Sequence, residues 1–153
     1  MDVEIVTRDG FAVMGVQVRC TPETADFEEV WMRRFMPQHD GVAALAADKG
    51  YYGVWFGTEE EGMTDYLAGM AVEAGCRAPE GLPVRDVPGG RYAVAECTVG
   101  TIGETWEAMF GTWLPASGYE YDDPRAGFEY YPPETAAKDS PVMIHLPVKE
   151  AAP

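Results

Sequence analysis

Two short stretches hold the side chains best suited to chemistry: Tyr52-Gly53-Val54-Trp55 and Phe128-Glu129-Tyr130-Tyr131. Both read as strands, whose two-residue period puts Gly53 with Trp55 on one face and Glu129 with Tyr131 on one face. Superimposed at an offset of 76 residues, Gly53 falls on Glu129 and Trp55 on Tyr131, so one segment offers a space where the other offers an acid. A carboxylate withdrawn from water without a partner either takes up a proton or favours a cationic guest. Ring faces attract the same guest, each by about 0.5–2 kcal/mol. The chemistry expected is recognition of a flat, lipophilic cation. Two other placements stay open at this level: Glu129 on a water-facing strand, or neutralised inside the protein by Arg125 or Arg91.

The elements that must position these residues are written twice. Val3–Val6 lies over Val84–Val87, and Phe11-Ala12-Val13 over Tyr92-Ala93-Val94, at an offset of 81 residues. Phe27, Glu28, Val30, Trp31 and Phe35 lie over Trp106, Glu107, Met109, Phe110 and Leu114 at 79, and Leu67–Val72 over Met143–Val148 at 76. The shared order of the blocks makes the duplication persuasive. Each copy reads as strand, helix, strand, strand, and the expectation is an α+β fold of two β-α-β-β units about a pseudo-two-fold axis. An antiparallel sheet then carries helices on one face and a ligand groove between the halves. The first copy spans about residues 1–75, the hinge 76–83 and the second copy 84–150, within a single domain over 1–153.

Local signals fill in the units. Thr21-Pro22 predicts the start of the first helix, with Phe27, Val30, Trp31 and Phe35 as its buried face and Pro37 as its end. Thr101 with Glu104 predicts a capping box opening the second, whose stripe Trp106, Met109, Phe110, Trp113 and Leu114 runs to Pro115. These aromatics read most simply as core. A third short helix is expected at Gly41–Lys49, and strands at Phe11–Val18, Tyr92–Val99 and Val142–Val148. Tyr119–Pro124 reads as a mobile loop beside the groove.

Composition narrows the function. Eleven Lys and Arg against 26 Asp and Glu leave a net charge of −15, a poor surface for neutralising phosphates, so direct nucleic-acid binding and docking on an anionic membrane are not expected. The longest apolar run is Val42–Ala47, far short of a membrane span, and the first residues lack a secretory pattern; a cytoplasmic protein is expected. Cys20, Cys76 and Cys97 form no pair, and His39 and His145 complete no metal-ligand spacing with them, so neither a metal nor a cofactor is expected. The acidic loop Gly57–Gly62 reads as a solvated turn or as a field gathering cations. Met32, Met63, Met70 and Phe35–His39 read as core or as an adaptable pocket wall.

Tyr51-Tyr52-Gly53-Val54-Trp55, Tyr66-Leu67-Ala68-Gly69-Met70-Ala71-Val72, Phe128-Glu129-Tyr130-Tyr131 and Ile144-His145-Leu146-Pro147-Val148, in this order and spacing, resemble the GyrI-like, or AraC effector-binding, domain family. The similarity runs from about residue 3 to residue 149. It implies the duplicated fold and a ligand between the halves, with Glu129 on the floor and Tyr131 and Trp55 on the walls. The expected binding set is Glu129, Tyr131, Trp55, Gly53, Tyr52 and Phe128. It also implies a free-standing member, since no residues remain for a DNA-binding helix-turn-helix, acting as a sensor or sequestering protein. Two alternatives come with the resemblance. One is a hydrolase of cyclopropane-containing electrophiles, with Glu129 activating water and Tyr131 or Tyr92 giving a proton. The other is a protein partner, either a transcription regulator or DNA gyrase, the latter restrained by the acidic surface.

Overall fold

In the computed structural model, residues 1–78 and 81–151 are described; Pro79 and Glu80 of the expected hinge lie outside the described residues. The strands are β1 (Val3–Arg8), β2 (Phe11–Cys20), β3 (Tyr51–Gly57), β4 (Thr64–Val72), β5 (Val84–Val87), β6 (Gly90–Thr98), β7 (Tyr119–Tyr121), β8 (Gly127–Tyr131) and β9 (Pro141–Glu150). Eight form one sheet in the order β1-β6-β9-β8-β3-β4-β2-β5, every pair antiparallel, and β7 pairs with the end of β9.

That order reads the same from either edge once β1–β4 are exchanged with β5–β9. The halves meet at β3 and β8, where Gly53 stands opposite Glu129, with Tyr51 opposite Tyr131 and Trp55 opposite Gly127 on the same face. Residues equivalent under a two-fold can face each other only at the axis, so Gly53 and Glu129 sit on it. Each half also begins with a short strand that crosses to the other: β1 pairs with β6 and β5 with β2. The two crossing turns touch, since a Cβ added at Gly89 would lie 2.6 Å from the Gly10 nitrogen and 2.7 Å from the Arg8 carbonyl. This exchange is absent from the strand-helix-strand-strand reading of each copy. Edge strands carry no period of their own that names a partner.

Both helical segments cover one face of the sheet. The first runs through a π-helical stretch, Glu29–Phe35, and a tight turn, Met36–Gln38, into α1 (His39–Ala43). The second runs from a turn at Val99–Thr101 through α2 (Ile102–Ala108), a π-helical stretch at Met109–Trp113 and α3 (Leu114–Ser117). The boundaries differ from expectation for stated reasons. The side chain of Asp26, not Thr21, accepts the Glu29 N–H (3.1 Å), while Thr21 and Thr24 close a turn on each other. Thr98 and Thr101 form the second capping box, in place of Thr101 and Glu104. Pro37 and Pro115 each occupy the first turn of a new helical piece, where the missing N–H has no intrahelical partner to lose. They open a further helical piece rather than end the segment, and the expected helix at Gly41–Lys49 starts earlier and stops at Ala43. The second segment closes only at Gly118, whose φ of 82° suits glycine. Tyr119–Tyr121 is a strand rather than a loop.

The helix-covered face packs two apolar clusters, one per half: Met14, Val30, Phe35, Tyr66 and Ala68 in the first, Ala93, Met109, Ile144 and Leu146 in the second. The opposite face closes on itself beneath the crossing turns around Val13, Tyr52, Val54, Leu67, Tyr92 and Phe128. There the guanidinium of Arg8 lies 4.8 Å from the centroid of Phe11, and the ring of His145 stacks on Phe128 at 4.2 Å. Burial of His145 and the charge of Arg8 hold it neutral, its pKa down to about 4 despite its hydrogen bond to the Met143 carbonyl. Cys20, Cys76 and Cys97 are free thiols. In the acidic loop, Glu59 pairs with Arg19 at 2.9 Å.

Candidate functional site

Glu129 projects from β8 onto the helix-covered face and is only 2% exposed. Four neutral donors converge on its carboxylate. Oε2 accepts the indole N–H of Trp55 (2.5 Å) and of Trp106 (2.9 Å), and Oε1 accepts the hydroxyls of Tyr131 (3.0 Å) and Tyr66 (3.4 Å). The Tyr66 oxygen in turn accepts the Trp31 indole N–H at 2.9 Å. Both halves contribute: Trp31, Trp55 and Tyr66 come from the first, Trp106 and Tyr131 from the second. No ion pair among the described residues includes Glu129; Arg125 pairs with Asp122 and Arg91 with Glu150. The lone pairs of the acid are satisfied while its charge is not cancelled.

Burial therefore pushes the Glu129 carboxyl above the usual carboxylate range, opposed by the hydrogen bonds from Trp55, Trp106, Tyr131 and Tyr66. Burial, with the charge of Glu129 next in weight, lifts the Tyr66 and Tyr131 phenols well above their ordinary value. Both stay protonated as donors.

Gly53 makes room for this arrangement. A Cβ there would lie 2.2 Å from the Tyr66 hydroxyl and 2.7 Å from Glu129 Oε1. The surrounding rings follow the pseudo-symmetry: Trp55 with Tyr131, Phe27 with Trp106, Trp31 with Phe110. Phe27 packs edge-on against Tyr66 (5.1 Å) and Trp55 (5.7 Å), and Trp31 against Tyr131 (5.4 Å). Phe27 and Phe110, at 39% and 40% exposure, are the outermost of these rings. The groove expected between the halves is roofed over, because four donors reach for one acid and draw their rings across it. Two shallow concavities, about 420 and 450 Å³, lie elsewhere, one against Val16, Arg34 and Leu82 and the other against Asp2, Glu96 and Met143.

The structure thus brings together Glu129, Tyr131, Trp55 and Gly53 of the expected set. It sends Tyr52, Phe128 and Tyr92 to the opposite face, because neighbouring strand residues alternate sides. There Tyr52 donates to Asp48 (2.9 Å), with its pKa pushed up by burial to about 12, and Tyr92 donates to the Pro88 carbonyl (3.0 Å). Trp106, Trp31 and Phe27, which the sequence offered only as core, and Tyr66, which it offered only within the family motif, are additions. Two tryptophans on the helical stripes were the available signal, since a buried indole N–H needs an acceptor and apolar packing supplies none. Of the methionines, Met70 is buried core while Met32 is 60% exposed. No group of metal-ligating side chains occurs among the described residues.

The chain is thus a duplicated α+β sheet with one buried acid caged by rings on its internal axis. The chain belongs to the Cass2 family of integron-associated effector-binding proteins, which it matches over residues 4–148. It is similar to the transcriptional regulator BrlR of Pseudomonas aeruginosa, with 31% identity over 135 residues. That match covers 86% of this chain and 48% of BrlR, so the chain spans about half the length of this curated relative. The fold is shared with SAV2435, solved bound to tetraphenylphosphonium (TM-score 0.76, 14% identity, 97% of this chain and 94% of that one). It is also shared with a hydrolase from Listeria innocua (TM-score 0.58, 10% identity, 96% and 91%). No helix among the described residues is long and apolar enough to cross a membrane.

Proposed function

We propose that this effector-binding chain takes up lipophilic aromatic cations between its halves, with Glu129 as counter-ion and Trp55, Trp106, Tyr131 and Phe27 as walls. The observation that carries the reading is a fully hydrogen-bonded, buried carboxylate whose charge no side chain among the described residues cancels. A guest cation restores neutrality where water cannot, and ring faces add about 0.5–2 kcal/mol each. Phe27 has no polar anchor and is exposed enough to swing aside, which makes it the way in. That SAV2435 binds tetraphenylphosphonium supports the choice of cation.

Binding is better supported than hydrolysis. A general base needs a free lone pair within reach of water, and each oxygen of Glu129 already accepts two donors. Tyr92 stands on the other face, and the Tyr131 hydroxyl is engaged in donating a hydrogen bond to Glu129 itself. Excess tetraphenylphosphonium, at about a hundred times its Kd, adds about 2.7 kcal/mol and raises Tm by roughly 5–10 °C. Glu129→Gln keeps the shape of the cluster, its carbonyl accepting the indoles and its amide meeting the phenols, and loses most of that shift. Equal shifts in both proteins would refute the reading. Multiple turnovers of a cyclopropane-bearing alkylator would replace it with the hydrolytic one.

A further inference from the structure

The hydrogen bonds around Glu129 also bear on which cations fit. A carboxylate offers about four acceptor sites, and here each oxygen already takes two donors: Trp55 and Trp106 on one, Tyr66 and Tyr131 on the other. A protonated primary amine brings three N–H groups into this water-poor site. Within the cluster itself the other acceptors are the two phenol oxygens, and that of Tyr66 already takes the Trp31 N–H. At least two N–H groups stay without partners, at a cost of about tenfold or more in affinity each. A quaternary ammonium or phosphonium brings no donor, and its diffuse charge is stabilised by the uncancelled acid and by ring faces alone.

We infer that the saturated carboxylate is a selectivity device, admitting cations that lack N–H donors and rejecting protonated amines and guanidinium groups of similar shape. Charge is read here and hydrogen-bonding capacity is screened out. The inference rests on the reading of Glu129 as the counter-ion of a bound cation.

The test uses the full chain and two naphthylmethyl cations, the primary ammonium and its N,N,N-trimethyl form, with tetraphenylphosphonium as reference. Calorimetry on the wild type is expected to show the trimethyl form bound at least about a hundredfold more tightly. Part of any difference comes from the added methyl groups, so the decisive quantity is the ratio of the two affinities across variants. Trp106→Phe releases an acceptor site on Oε2, and Tyr131→Phe releases one on Oε1. Each is expected to narrow the ratio by about tenfold, mainly by improving the primary amine. A loosened wall would weaken both cations together and leave the ratio unchanged; that result in either folded variant overturns the inference, as does equal binding of both cations to the wild type. If tetraphenylphosphonium binds while the selectivity is missing, only this inference falls. If no cation binds the wild type, the counter-ion reading falls with it.

Discussion

Replacing Gly53 by alanine adds one methyl group at the internal axis, where the neighbouring side chains leave no room for it. The new Cβ would stand 2.2 Å from the Tyr66 hydroxyl, 2.7 Å from Glu129 Oε1 and 2.9 Å from Tyr66 Cζ. Tyr66 must retreat by roughly 1 Å to restore ordinary contact. It has no exposed surface and lies 4.6 Å from the Trp55 centroid and 5.1 Å from that of Phe27, so the retreat disturbs both rings. Moving its hydroxyl also breaks the bonds to Glu129 and from Trp31. Overpacking costs about 1–3 kcal/mol and the buried polar loss about as much again, a total of about 2–6 kcal/mol. At about 2–4 °C per kcal/mol for a chain of this size, Tm falls by roughly 4–24 °C in a fluorescence-detected melt. The double variant Gly53→Ala with Tyr66→Phe removes the atom nearest the clash, so Tyr66→Phe costs less in that background than in the wild type. A Gly53→Ala protein of unchanged Tm, or two substitutions whose costs simply add, would refute the crowding account.

Glu129 has a folded pKa above its unfolded one, so its contribution to stability is complete below the ordinary carboxylate value and fades as pH rises through the folded value. Urea unfolding of wild type and Glu129→Gln from pH 4.5 to 7.5 is expected to show their difference falling by up to about 1.4 kcal/mol per pH unit before levelling; a flat difference contradicts the buried charge. His145 works in the opposite sense. Its pKa drops from 6.5 to about 4, so its contribution is complete above 6.5 and lost as pH falls towards 4. The loss reaches about 3 kcal/mol, and His145→Phe is expected to flatten it over the same pH range. Gly89→Ala drives a methyl group into the backbone of the β1–β2 turn and is expected to cost about 2 kcal/mol or more in urea unfolding, whereas Gly111→Ala, which meets nothing within 4 Å, is expected to cost nothing.

The duplication was legible because both halves kept apolar residues at matching intervals, and the match of Gly53 to Glu129 identified the axis once β3 and β8 proved antiparallel. The exchange of β1 and β5 was not legible, because pairing choice between edge strands lies in tertiary packing. Nearness in sequence does not give a shared face in a strand: Phe128 adjoins Glu129 along the chain but points away from it, as Tyr52 does from Gly53. The cage was hidden for a different reason. Phe27, Trp31 and Trp106 satisfy the helical period of a core stripe, and the pattern that buries a ring is the same whether or not its N–H reaches an acid. Pro37 and Pro115 misled because a helix-ending residue also begins the next turn well.

The place of Glu129 on the internal axis has an evolutionary corollary. A homodimer assembled from one half alone would bring either two glycines or two acids to this spot. Two glycines provide no charge, and two acids on facing strand positions repel until one is protonated. A lone negative charge at the centre therefore requires the halves to differ. Joining the halves in one polypeptide fixes that difference, one copy carrying the acid and its twin a glycine.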